Sequence, residues 1–214
     1  MRELGIRSKV RIKRFSEGNK RVKSAGYIYE NLLNRDFSTT RMNQKWVTAT
    51  SEMNIGTNGK KLHVSVIMDL FNNEIVGYSI SPNLTVDLVE KSLLYASRNK
   101  DKSEAILLHS NRGMTYRSKR WNELMDDYGF TPSMSRHATC LDNACIEGFF
   151  SQMKEERPEL RHMSNYNEAK QIIEEYMAYY NVNRIQGVLG YKTPYQARRA
   201  SERKRNTKKV KRCA

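Results

Sequence analysis

Leu62-His63-Val64-Ser65-Val66-Ile67-Met68-Asp69-Leu70, a turn at Asn72-Asn73, and Glu74-Ile75-Val76-Gly77-Tyr78-Ser79-Ile80 read as two extended runs around a tight connection. β-Branched and apolar residues dominate both runs, and asparagine tolerates the left-handed backbone that such turns demand. Upstream, the Gly59-Lys60-Lys61 turn is preceded by Trp46–Met53, a third run of mixed polar and apolar character. Three strands on short turns predict an antiparallel meander.

Downstream the period changes. Thr85–Arg98 carries Val86, Leu88, Val89, Leu93, Leu94 and Ala96 in a helical stripe, with Thr85 or Asn83 as its cap. Ala105-Ile106-Leu107-Leu108 is short and wholly apolar, as a strand buried on both faces must be. Ser118–Tyr128 reads as a second helix, Thr131–Met134 as a further strand and Asn143–Glu156 as a third helix. Tyr166–Asn181 is a long fourth helix with Ala169, Ile172, Ile173, Tyr176 and Tyr180 along one side, and a last one starts at Pro194. An antiparallel unit followed by helix, strand, helix, strand implies an α/β mixed five-stranded sheet flanked by helices, with right-handed crossovers. That order matches the ribonuclease-H-like fold.

The 214 residues suffice for one substantial core with appendages. The formal net charge of +15 is concentrated at the ends: residues 1–24 hold nine Lys/Arg against two acids, and residues 198–214 hold nine against one. Basic arms on a neutral body suit a polyanion, bound through phosphate neutralisation and counterion release. Cys140, Cys145 and Cys213 have no metal-ligand spacing, and their odd number argues against a disulfide framework. No apolar run has the length of a membrane span, and the expected setting is the cytoplasm.

On the third predicted helix, Asn143, Ser151 and Lys154 stand four before, four after and seven after Glu147, all on its face. Ile146, Phe149, Phe150 and Met153 form the opposite, apolar face. Such a helix buries its aromatic side on a sheet and turns a carboxylate, an amide, a hydroxyl and an ammonium toward a phosphate backbone. Taken alone, the same pattern describes an ordinary amphipathic helix with a solvated polar face, and that simpler reading prevails until something else is added.

A series of segments adds it. Trp46-Val47-Thr48, Leu108-His109-Ser110-Asn111-Arg112-Gly113, Ser133-Met134-Ser135-Arg136, Asp142-Asn143-Ala144 with Glu147, Phe149-Phe150, Lys154 and Glu156, and Tyr179-Tyr180-Asn181 with Arg184, Leu189-Gly190-Tyr191 and Thr193-Pro194 occur in one order. The series resembles the catalytic region of the IS-three family of insertion-sequence transposases, relatives of retroviral integrases, over roughly residues 42–197. Met1-Arg2-Glu3-Leu4-Gly5-Ile6 also resembles the tail of the helix-turn-helix segment that precedes the core in that family. The resemblance implies a basic N-terminal arm over 1–41, an integrase core over 42–185, and a C-terminal helix with a basic tail over 186–214.

It also implies three catalytic, metal-holding carboxylates, Asp, Asp and Glu, at positions occupied here by Ala49, Asn111 and Glu147. In such a family two Mg²⁺ or Mn²⁺ ions do the chemistry; here their binding is expected to be weak or absent, since only Glu147 is an acid. The chain is therefore expected to be inactive in cleavage and strand transfer as written. Glu52, Asp69 and Asp142 are poor substitutes: the first points to the other strand face, the second flanks a turn, and the third is placed as the cap of the third helix. Lys154, Asn143, Ser151, Arg112, Arg136 and Arg184 are the expected DNA-backbone contacts. His109 and Ser110, adjacent on a strand, face opposite ways and make no nucleophile and base pair. The implied partners are DNA and further copies of the chain, with no membrane. The competing reading is a non-catalytic DNA-binding protein repurposed from a transposase.

Overall fold

A computed structural model describes residues 26–55, 60–98, 100, 105–163 and 165–213. Of the basic arm expected over 1–41, residues 1–25, with the helix-turn-helix tail, lie outside the described residues.

The meander forms as expected: β1 (Lys45–Ile55), β2 (Lys60–Asp69) and β3 (Glu74–Ser81) pair antiparallel, with Ala49 opposite Val66 and Val66 opposite Tyr78. Asn73 supplies the left-handed residue of the second turn, at φ 55°. Helix α1 (Val86–Ser97) then crosses the sheet. It comes so close to β3 that a Cβ on Gly77 would run into the Ser92 carbonyl oxygen, so only glycine fits there. Strand β4 (Ile106–Ser110), helix α2 (Lys119–Asp127) and strand β5 (Phe130–Met134) follow. Both new strands are parallel additions, on β1 and on β4 respectively, giving the order β3-β2-β1-β4-β5. Helices α3 (Ala144–Glu156), α4 (Tyr166–Val182) and α5 (Pro194–Cys213) complete the chain.

Strand alternation divides the core into two layers. Even-numbered Trp46 on β1 and Ile106 and Leu108 on β4 pack with α1 and α2, around Tyr116 and Trp121. Odd-numbered Val47, Ala49, Met53 and Ile55 pack under α3 and α4, against Ile146, Phe149, Phe150, Ile173, Tyr176 and Tyr180. The Phe149 and Tyr180 rings meet edge to face at 4.9 Å, one of several aromatic contacts fastening α3 to α4. No helix among the described residues is long and apolar enough to cross a membrane.

Candidate active site

The register between β1 and β4 places the first two expected positions side by side. Thr48 is the Cα partner of Ser110, the last paired residues of the two parallel strands, so Ala49 and Asn111 are the next along. Leu107 packs against the α3–α4 layer, so by alternation His109 falls on that side, the side that also takes Ala49, and Asn111 follows just past the end of β4. Helix α3 covers this side, and its start is fastened there: Asn143 Nδ2 donates to the Thr48 carbonyl oxygen at 3.0 Å. Glu147 follows one turn later on the exposed side of α3.

Partial burial raises the Glu147 carboxyl above its ordinary value, with the positive charge of Lys154 pulling it down. Tyr116, wholly buried in the α1–α2 layer, has a phenol raised first by burial and to a lesser degree by the charge of Glu147. Its hydroxyl lies 3.2 Å from Thr48 Oγ1, which is itself 2.9 Å from the Val66 carbonyl oxygen. Thr48 donates to that carbonyl, so Tyr116 donates to Thr48.

The donor set is poor in charge. Ala49 is fully buried and its methyl offers no donor atom. Asn111 Oδ1 accepts the Gly113 N–H at 2.9 Å, so its one ligating oxygen is turned into its own loop. Among the described residues no three His, Cys, Asp or Glu side chains stand where they would hold a metal ion. Glu147 alone does not fit a pair of divalent ions, each of which needs several hard oxygen ligands.

The expected DNA contacts are mostly engaged with protein. Asn143 is 1% exposed, so its amide is not turned to a phosphate; it ties α3 to β1 instead. Arg136 Nη2 and Nε reach Asp142 at 2.7 and 2.9 Å. Arg112 Nε donates to the Ser135 carbonyl at 2.8 Å. Arg184 grips Glu156, with Nη2 at 2.6 Å from Oε1, and lies over the Tyr180 ring. Lys154 Nζ donates to the Glu52 carbonyl at 3.2 Å and, like Ser151, is half-buried on α3.

Asp142 is not the cap of α3. It is fully buried in the short 3-10 turn Cys140–Asn143, while Asn143 holds the cap position without a side-chain capping bond. Its carboxylate accepts from Arg35 Nε at 2.8 Å, Asn31 Nδ2 at 2.9 Å and the Arg136 backbone N–H at 3.0 Å, besides the Arg136 guanidinium. Those donors, Arg136 foremost, hold its carboxyl far below the ordinary carboxylate range. The segment before β1 is pinned to the base of α3 in this way. Sequence alone gives no sign of it, because Arg35 lies 107 positions away.

A second buried group was also beyond local reading. The Ser133 hydroxyl oxygen accepts from the Leu32 and Leu33 N–H groups at 2.9 and 3.2 Å. Its hydrogen therefore goes to His109 Nδ1, 2.8 Å away. The imidazole carries its proton on Nε2 and donates to Ser135 Oγ at 3.0 Å. Burial lowers its pKa to about 4, so it is neutral at pH 7 and has no role as a catalytic base with Ser110.

Residues 39–140 match a family described as Integrase core domain, and residues 128–194 match a second family of the same description. The putative transposase InsK for insertion sequence element IS150 of Escherichia coli is 38% identical over 198 residues, which are 92% of this chain and 68% of that protein. An uncharacterized transposase-like protein of Haemophilus influenzae is 32% identical, over 94% of this chain and 90% of its own length. Among solved structures, the HTLV-2 integrase catalytic core domain in complex with magnesium superposes with a TM-score of 0.57 at 15% identity, covering 73% of this chain and 97% of that one. That likeness establishes the ribonuclease-H-like fold. On its sequence relatives and its matched core, this chain belongs to the IS-three family of insertion-sequence transposases.

Proposed function

We propose that the chain is the DNA-acting core of a DDE-type transposase and that, as written, it neither cuts nor joins DNA. Each transfer step is an in-line displacement at phosphorus, in which charge on the phosphoryl group must be neutralised while one oxygen attacks and another leaves. Two divalent ions about 4 Å apart meet those needs when hard anionic ligands hold them. The reading rests on one observation above all: Ala49 and Asn111 directly follow Thr48 and Ser110, the last paired residues of the parallel β1–β4 ladder, yet they bear a methyl group and an amide. The Mg²⁺ or Mn²⁺ pair that family members require has one carboxylate, Glu147, to hold it.

DNA remains the partner, and a working assembly contains more than one chain because two element ends are joined. Lys154 and Ser151, beside Glu147, and the basic tail after Arg198 are the surfaces proposed to meet the backbone. The test is a strand-transfer assay in Mn²⁺ on DNA carrying the ends of the encoding element. The unaltered chain yields no joined product, and the double variant Ala49→Asp, Asn111→Asp does. Joined or nicked product from the unaltered chain refutes the proposal.

A further inference from the structure

The loop between α4 and α5 is held rigidly and yet turns apolar side chains to solvent. Gln186 and Lys192 form an antiparallel bridge, with Gln186 N–H donating to the Lys192 carbonyl at 3.0 Å and Tyr191 N–H to the Gln186 carbonyl at 3.1 Å. Between them Gly187–Leu189 make a 3-10 turn, and Gly190 and Tyr191 follow in the left-handed region at φ 65° and 57°. The β2–β3 turn clamps both ends: Asn73 Nδ2 donates to Gln186 Oε1 and Asn72 Nδ2 to the Pro194 carbonyl, each at 3.0 Å. A loop so constrained has little freedom left to lose on binding.

At its tip Val188 is 83% and Tyr191 80% exposed, with Ile185 at 62% beside them. A bulky residue rarely adopts the left-handed region. An asparagine or glycine would sit at 191 without strain, so the ring is held outward at a conformational cost. The surroundings are cationic. Lys192 is exposed, and so is Arg199, whose Nη1 donates to the Tyr195 hydroxyl at 3.0 Å. An apolar tip flanked in the chain by the exposed cations Lys192 and Arg199 is not a purely hydrophobic surface. It complements a polyanion that offers flat apolar faces between its phosphates.

We infer that the loop Gln186–Lys192 is a base-stacking contact for DNA with unpaired bases, with Tyr191 and Val188 against base faces and Lys192 and Arg199 against phosphates. Aromatic rings beside backbone-tracking cations are the general chemistry of single-strand contact. The inference rests on the reading of the chain as a DNA-acting protein.

The experiment compares, by fluorescence anisotropy, a blunt duplex with the same duplex carrying a single-stranded overhang of about eight nucleotides, a length within one ordinary binding site. The variant is Val188→Ser, Tyr191→Asn, chosen because asparagine favours the left-handed backbone; thermal melting and sedimentation of each protein accompany it. The variant is expected to bind the overhang about tenfold more weakly. Its affinity for the blunt duplex and its salt slope should stay unchanged, because no phosphate contact is lost. Lys192→Gln should instead reduce the salt slope by about one. Equal overhang affinity for variant and unaltered chain overturns the inference. A changed sedimentation size with unchanged DNA affinity also overturns it and assigns the loop to chain–chain contact. An unaltered chain that binds neither DNA at low salt overturns both this inference and the reading beneath it.

Discussion

Asn143 donates its side-chain amide to the backbone carbonyl of Thr48 at 3.0 Å, across a separation of 95 positions in sequence. The bond fastens the cap residue of the Glu147 helix to β1 one residue before position 49. Its other amide atom, Oδ1, is buried with no hydrogen-bond partner, so the side chain is kept for its donor.

Asn143→Ala and Asn143→Asp should therefore differ. Alanine loses one buried hydrogen bond but also removes an unsatisfied oxygen, for a cost of about 1 kcal/mol. Aspartate sets a buried carboxylate against a carbonyl oxygen, a repulsive and desolvated arrangement costing roughly 3 kcal/mol. Urea unfolding at neutral pH, with unchanged m-value, measures both. An aspartate variant as stable as the alanine one would show that the donor is unimportant.

Two buried groups should pull stability in opposite directions over the same pH range. Burial lowers His109 to about 4 and raises Asp69 to about 6. For His109 the unfolded chain binds more protons, so its contribution is complete above about 6.5 and disappears as pH falls through 4. For Asp69 the folded chain binds more, so its contribution is present below about 4 and is lost as pH rises through 6. Between pH 4 and 6 the two largely cancel, each being worth on the order of 3 kcal/mol. The midpoint of urea unfolding should be nearly flat with pH in the unaltered chain. It should rise with pH in Asp69→Asn and fall with pH in His109→Asn.

Asp142 provides a third check. Its carboxyl is held far below the ordinary range by Arg136 and Arg35, so its contribution is complete above about pH 4 and is lost on further acidification. Asp142→Asn should cost about 2 kcal/mol at pH 7, through weakened charge-assisted hydrogen bonds. The variant should also lose less stability than the unaltered chain between pH 4 and 2. In hydrogen exchange, residues 30–36 of the variant should lose protection first, because Asn31 and Arg35 are held there by this carboxylate.

Where local chemistry decides structure, the sequence is readable. The runs at Leu62–Leu70 and Glu74–Ile80 become β2 and β3 within two residues at either end, and the stripe from Ala169 to Tyr180 becomes the buried face of α4. The likeness of Asp142-Asn143-Ala144 to a helix start led to the wrong assignment of Asp142, because a short polar residue before a helix is equally suited to capping and to a buried ion pair. Only Arg35 and Arg136, brought in by the fold, decide between the two. Arg184 and Arg136 look like free cations in sequence and are paired in space, since an ion pair over 28 positions or across a turn leaves no periodic trace. Tyr179 and Tyr191 are 42% and 80% exposed, because α4 ends and the following loop turns outward there, which no local pattern announces.

The central claim concerns charge at the mouth of the sheet, and calorimetric titration of Mn²⁺ into the protein without DNA addresses it directly. No saturable binding is expected for the unaltered chain, whereas Ala49→Asp, Asn111→Asp should bind saturably, its melting temperature then rising with Mn²⁺ concentration as linkage requires. Saturable uptake of one or two Mn²⁺ ions by the unaltered chain, lost in Glu147→Gln, would contradict the claim.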